Sequence, residues 1–457
     1  MTTGWRRFGA LGAGLAGLAM VAAAETDTAG WAPAQFTLDN GMDVLVLPDH
    51  RAPVVTHMVW YKVGAMDEAP GKSGLAHLFE HVMFKQTDDI ADGEFDRIVT
   101  RSGGRSNAGT SWDYTVYYEQ VAKPHLSRMM ALEAERMTDL IIDEDPQGSF
   151  ITERDVVKEE RRQTLESSPS RVLQEKVFAE VFKGHPYEIS IIGRMEEVSA
   201  LTPQDGMAFY RTFYSPENAV LVVAGDVTPD EVRALAQQHY GPKVPSGLVS
   251  ETRNWQTLPP LDRTLDVEHT DPKVRQPVWS RYYDGTSLFL DRETALALEV
   301  GLEVLGGGST SLLSRRLVED QKLAISVGST VYSFLRDGGP SLIYASPSPG
   351  VSLDTLEAAV MAEIAAILEE GFDEADVRRV RNSLAASAIY QRDSQMSMAR
   401  TFGAWVTIGG DVQDILDYPD DVRAVTAERA LAAVRDVFRP DAHFIQARLL
   451  PETEAME

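Results

Sequence analysis

His77-Leu78-Phe79-Glu80-His81 decides how this chain is read. On a helix, residues four apart lie one turn above each other on a single face, so both imidazoles reach one metal ion. Glu80 stands beside His81 and one turn after His77, which brings its carboxylate to water held at that ion. H-x-x-E-H is the reverse of the H-E-x-x-H order and makes the same chemistry available from the opposite helix direction. Five residues with three fixed also recur by chance, as a helix with two surface histidines. The surrounding sequence has to choose between the two readings.

A metal held by two histidines takes a third protein ligand and leaves one position for water. The helix expected over Glu153 to Leu165 supplies the candidates. On a helical wheel Glu153, Val156, Val157, Glu160 and Thr164 share one face, while Asp155, Glu159, Arg162, Gln163 and Glu166 form a wholly polar opposite face. Glu159 is therefore expected in water with Arg162 as its partner. Glu160 falls on the stripe that should be buried, where a carboxylate is costly unless it is paired or metal-bound. Glu153, two turns earlier on that stripe, is placed to support a ligand. The other histidines (His50, His57, His125, His185, His239, His269, His443) are scattered singly and read as surface or core residues. His185-Pro186-Tyr187 is a turn with no local link to a site.

Composition narrows the chemistry further. The chain has no cysteine, which excludes disulfides, thiolate metal sites and cysteine nucleophiles. Any metal site is built from histidine and carboxylate. With 43 Lys+Arg against 69 Asp+Glu the net charge is −26, which disfavours a nucleic-acid partner and favours basic polypeptides or cations. Residues 1–24 read as an export signal: Arg6 and Arg7, an apolar run from Phe8, and Ala22-Ala23-Ala24 before Glu25. The run is short and rich in alanine and glycine, so cleavage near Ala24 and a periplasmic or secreted product without stable membrane insertion are expected, with an uncleaved anchor as the alternative.

The length, 457 residues, calls for more than one core. The proline-punctuated stretch from Pro242 to Pro260 divides the mature chain into halves that resemble each other. Tyr214-Ser215-Pro216-Glu217-Asn218-Ala219 leads into an apolar strand, and Phe438-Arg439-Pro440-Asp441-Ala442 does so again 224 residues later. The helix after Phe150 resembles the helix after Phe372, 222 residues on. Val54 to Val63 and Tyr114 to Tyr118 read as strands; Gly74 to Phe84 and Pro124 to Leu140 read as helices. From Ser352 to Gly371 a helix carries Leu356, Val360, Ile364 and Ile367 on one stripe. The expected fold is α+β: an antiparallel-rich sheet with helices packed on one side, made twice. The expected organisation is 1–24 signal, 25–241 metal-bearing domain, 242–262 linker and 263–457 homologous domain without metal ligands.

Taken together these residues resemble the pitrilysin-like, inverted-motif zinc peptidases, in the branch containing mitochondrial processing peptidase and its bacterial relatives. Gly74-Leu75-Ala76 and Met83-Phe84-Lys85 match the surroundings of that family's motif. Glu153-Arg154-Asp155-Val156-Val157-Lys158-Glu159-Glu160 resembles its third-ligand segment. Ser102-Gly103-Gly104-Arg105-Ser106-Asn107-Ala108 resembles its substrate-pairing edge strand, and Tyr210 to Val227 the end of its first domain. The resemblance implies Zn²⁺ on His77, His81 and Glu160, with Glu80 as general base and Glu153 as supporting acid. It implies that Asn107 and Ala108 offer edge-strand groups to an extended peptide, and that two halves close like a clamshell. The implied activity is that of an exported zinc endopeptidase on unfolded or short peptides; a non-catalytic scaffold subunit of a periplasmic assembly is the alternative.

One departure stands out. Gly306-Gly307-Gly308-Ser309-Thr310-Ser311-Leu312 and Leu323-Ala324-Ile325-Ser326-Val327 match the family's second half. Its substrate-holding Arg and Tyr, seven apart, are here Val318 and Ile325, and the usual intervening glycine is Lys322. Either Tyr282, Tyr332 or another neighbour substitutes, or a homologous partner chain supplies the pair in a heterodimer. A homodimer is the remaining arrangement.

Overall fold

In the computed structural model, residues 32–143, 145, 148–249 and 256–452 are described. The expected signal, residues 1–24, and part of the expected linker, 250–255, lie outside them.

The first sheet is built from β1 (Ala34–Thr37), β2 (Asp43–Pro48), β3 (Val54–Tyr61), β4 (Arg105–Thr110), β5 (Thr115–Ala122) and β6 (Ala219–Gly225), in the order β1-β2-β6-β3-β5-β4. The second contains β7 (Leu265–Asp271), β8 (Val278–Tyr283), β9 (Ala324–Val331), β10 (Ser341–Pro347) and β11 (Phe444–Pro451), in the order β7-β11-β8-β10-β9. Without β1 the two orders coincide strand for strand, down to the one parallel pair in each, β2 with β6 and β7 with β11. The faint sequence repeat is thus a repeated topology. Thr202 and Thr426, each accepting from a backbone N–H at the start of a helix, occupy matching places before the last strand of each half.

Helices of each half cover one face of its own sheet, as the apolar stripes require. The helix Leu353–Glu370 buries Leu356, Val360, Ile364 and Ile367. The opposite faces are covered by exchange, which the expectation of helices on one side did not include. The helix Gln395–Thr407, from the second half, lays Met398, Ala399 and Phe402 against Trp60, Val220 and Val222 of the first sheet. The helix Pro169–Val181, from the first half, lays Val177 and Val181 against Tyr282, Ile445 and Ala447 of the second. Double cover explains why every residue of β6 is buried and the strand reads as an unbroken apolar run. Gly403 permits the close approach, since a Cβ there would stand 2.4 Å from the Trp60 indole nitrogen. Deleting a ring at such a seam, Phe402 for example, costs about 3–5 kcal/mol.

β4 lies at the free edge of the first sheet, carrying Asn107 and Ala108, and β9 lies at the matching edge of the second. Among the described residues no helix is long and apolar enough to cross a membrane.

Candidate metal centre

The histidines sit on α1 (Leu75–Val82). Its start is held from outside the helix: Gly74 and Ala76 donate their backbone N–H groups to the Glu68 carboxylate at 3.0 and 2.8 Å. Gly74 adopts φ 85° and lies against Ile192 and Val198, where a Cβ would stand within 2.7 Å of both. Leu75, Ala76, Leu78, Phe79 and Val82 are buried in the core of the first half. That anchoring turns His77, Glu80 and His81 the other way, towards the helix Ser149–Glu160.

Three donors converge there. One ligand atom each from His77, His81 and Glu160 lies within 4.8 Å of the others. Both Nε2 atoms face the same carboxylate oxygen, Glu160 Oε2, at 3.8 Å from His77 and 3.4 Å from His81. On the far side of the His81 ring, Nδ1 lies 3.3 Å from Glu153 Oε2, and Glu153 Oε1 pairs with Lys85 Nζ at 2.6 Å. Two imidazole nitrogens and a carboxylate form a donor set suited to zinc, and a carboxylate on a ligand's other nitrogen is the usual support.

The two histidines differ in their electrostatics. Burial opposes the charged form of His81, but hydrogen bonds to Glu153 and Glu160 and the charge of Glu80 outweigh it and push it up to about 9. Burial holds His77 down to about 4 against the pull of Glu160. His81 keeps Glu160 below the usual carboxylate range, despite burial. Burial raises Glu80, opposed by its hydrogen bond from the Thr110 hydroxyl, Oγ1 to Oε2, at 2.6 Å.

Glu159 is exposed and paired with Arg162 at 3.2 Å, whereas Glu160 faces the histidines but is only half-buried, its side chain 36% exposed. Glu153 and Val157 are buried, whereas Val156, expected on the same stripe, is 45% exposed. The helix meets its neighbours over a narrower arc than the wheel allotted, and it passes into a π-helical segment, Arg161–Glu166, just after Glu160. Asn107 is exposed on β4; Ala108 is half-buried, and its N–H donates to the Asn107 side chain at 2.9 Å. Val318 is half-buried against the second core and Ile325 is 49% exposed on β9. Tyr282 is buried, its ring against Phe178, and Tyr332 packs on the same ring. Two contributors escaped sequence reasoning. Lys85 was noted only as part of the motif's surroundings, and Thr110 is a hydroxyl two residues beyond Ala108 whose approach to Glu80 depends on how α1 crosses β4.

A family model described as "Insulinase (Peptidase family M16)" matches residues 43–194, and one described as "Peptidase M16 inactive domain" matches residues 200–384. The zinc protease PqqE of Helicobacter pylori is 32% identical over 385 residues, spanning 84% of this chain and 85% of that one. The chain belongs to peptidase family M16. All three metal-capable residues and Glu80 fall in the first matched segment, and no other such cluster occurs among the described residues. A solved structure of a protease from Helicobacter pylori shares the M16 fold with TM-score 0.84 at 28% identity, covering 92% of this chain and 100% of that one. A probable mitochondrial-processing peptidase subunit beta of Arabidopsis thaliana is 26% identical over 374 residues, spanning 80% of this chain and 69% of that one.

Proposed function

We propose that this M16 chain is an exported, zinc-dependent endopeptidase that cleaves unfolded or short peptides. The observation that carries the reading is the convergence of His77, His81 and Glu160 beside a half-buried Glu80. When bound there, Zn²⁺ supplies Lewis acidity to a water and to the scissile carbonyl. His77, His81 and Glu160 would hold it, and Glu153 fixes the His81 ring through Nδ1. Glu80 accepts the proton of the attacking water and returns it to the leaving amine. Its Oε2 is engaged by Thr110, which leaves Oε1 for that transfer. The free edge of β4 aligns an extended peptide through backbone pairing, with the substrate displacing the Asn107 amide from the Ala108 N–H. Export rests on Arg6, Arg7 and the apolar run to Ala24.

The chain works best, in this reading, beside a homologous subunit that supplies the substrate-holding Arg and Tyr. Val318 and Ile325 offer no hydrogen bond to a substrate carbonyl, and Tyr282 is buried beneath the exchanged helix. By its name, the Arabidopsis relative is itself one subunit of a peptidase. Missing carbonyl-directed donors cost about 10²–10³ in rate. The test is metal content and peptide turnover of the chain alone, of Glu80→Gln and Glu160→Gln, and of the chain titrated with a homologue that has Arg and Tyr but no metal motif. Expected are metal retained in Glu80→Gln with turnover lower by roughly 10²-fold or more, metal lost in Glu160→Gln, and activity rising on titration. Hydrolysis by Glu80→Gln at the parent rate overturns the catalytic reading. No hydrolysis by the parent chain, alone or with a partner, establishes the scaffold alternative. Full activity of the chain alone overturns only the partner.

A further inference from the structure

A cavity of about 450 Å³ opens at the seam between the two halves and shares no lining residue with the metal centre. Three helices wall it, Glu374–Gln391, Gln395–Thr407 and Val412–Ala424. Tyr114, from the turn between β4 and β5, and Phe334, from the loop between β9 and β10, close its ends. The walls are mostly apolar, with Leu384, Ala388, Phe402 and Ile415 facing the rings of Tyr114 and Tyr418. Size and lining are those of a small-molecule site, concave and apolar with a few placed polar groups.

The charged groups are of one sign, beside the neutral Ser387, Gln391 and Thr401. Arg392 and Arg400 line the cavity and no carboxylate does, in a chain where 69 acidic residues outnumber 43 basic ones. Arg392 is fixed by donating to the carbonyls of Ile415 and Leu416 at 3.2 and 3.1 Å. Arg400 is steadied over the Tyr118 ring, 4.7 Å from its centroid, and donates to the Tyr118 hydroxyl. Two guanidinium groups held in place beside an apolar hollow complement a molecule with an apolar body and an anionic end.

We propose that this cavity is a binding site for a small amphipathic carboxylate, with its tail between Leu384, Ala388 and Ile415 and its carboxylate at Arg392 and Arg400. The occupant would touch Tyr114, at the turn that closes β4, and both halves at once.

Isothermal titration of the full chain with decanoate tests this, with decan-1-ol as the neutral arm and decyltrimethylammonium as the cationic arm, all below their aggregation concentrations. Decanoate is expected to bind saturably with one site per chain. The alcohol and the cation should bind at least about tenfold more weakly, because a hydrogen bond to a charged group is lost. Leu384→Trp and Ala388→Trp, each filling the hollow from a different turn of one helix, should abolish binding. Arg400→Gln should weaken it about tenfold. Retained metal content certifies that each variant is folded. Equal affinity for decanoate and decanol overturns the anionic assignment. Undiminished binding by both tryptophan variants, or no saturable binding of decanoate, overturns the site.

Discussion

Glu153→Gln isolates the support behind the metal centre from the ligands themselves. Glu153 contacts two groups: His81 Nδ1 at 3.3 Å and Lys85 Nζ at 2.6 Å. Glutamine keeps the shape and one acceptor oxygen but removes the charge, so His81 loses the carboxylate that orients its ring and raises its basicity. Such support is worth roughly 10–100-fold in metal affinity, or about 1.4–2.7 kcal/mol. The measurement is a competition titration of Zn²⁺ against a chromophoric chelator at fixed pH. Glu159→Gln serves as the control, since Glu159 is exposed and bonded only to Arg162 and Gln163. Expected are a weaker affinity by that factor for Glu153→Gln and no change for Glu159→Gln. Unchanged affinity in Glu153→Gln would refute the supporting role. Equal losses in both variants would mean that general negative charge, not the contact to His81, was being measured.

Thr110→Val removes the hydroxyl from Glu80 and should lower kcat about 10–100-fold, as loss of a hydrogen bond to a charged group does, with metal content and KM unchanged and Thr110→Ser restoring most of the rate. A loss confined to KM would place Thr110 in substrate binding instead. Arg136→Met should destabilise the fold by about 3–5 kcal/mol in denaturant unfolding. Its guanidinium, 1% exposed, pairs with Glu133, lies 3.6 Å from Glu119 and sits over the rings of Phe84, Phe95 and Tyr117. A cost below about 1 kcal/mol would show that the two carboxylates carry a proton instead of needing the arginine. Lys322→Gly should stabilise the chain by up to about 1 kcal/mol, because Lys322 holds φ 56°, a left-handed conformation costing about 1–2 kcal/mol for a residue with a Cβ, against a smaller entropic loss for glycine.

Local periodicity carried much of the site. Two histidines on one face, and a carboxylate on a stripe expected to be buried, pointed to Glu160 over Glu159; the structure brings Glu160, half-buried, to both histidines and leaves Glu159 exposed beside Arg162. The wheel failed at Val156 because it fixes only the direction of a side chain and not the width of the surface that meets it. Thr110 was invisible for another reason. Its contact with Glu80 joins a strand to a helix thirty residues away, and needs β4 at the sheet edge with α1 lying across it. Lys322 was legible as a departure, a lysine where the family resemblance leads one to expect glycine, and the left-handed backbone there supplies a physical reason for that expectation.

The exchanged helices mark the limit of such reading and bear on how the chain is assembled. In the helix Gln395–Thr407, Met398, Ala399 and Phe402 serve the first sheet, while Trp405 belongs to a core of the second half. A sequence pattern shows two apolar faces but not which sheet each one meets. The same exchange from the other side puts the helix Pro169–Val181, a few residues beyond the metal-bearing segment, on the second sheet. Each sheet would lose one of its covers if the halves were cut apart at the proline-rich stretch. The first half carries the one metal-capable cluster found among the described residues, yet Trp60, Val220 and Val222 are kept from water by a helix of the second half, Gln395–Thr407. The second half, with no metal-capable cluster among its described residues, is therefore a structural requirement of the site. That gives a physical reason for the second half in a chain whose metal-capable cluster lies in the first.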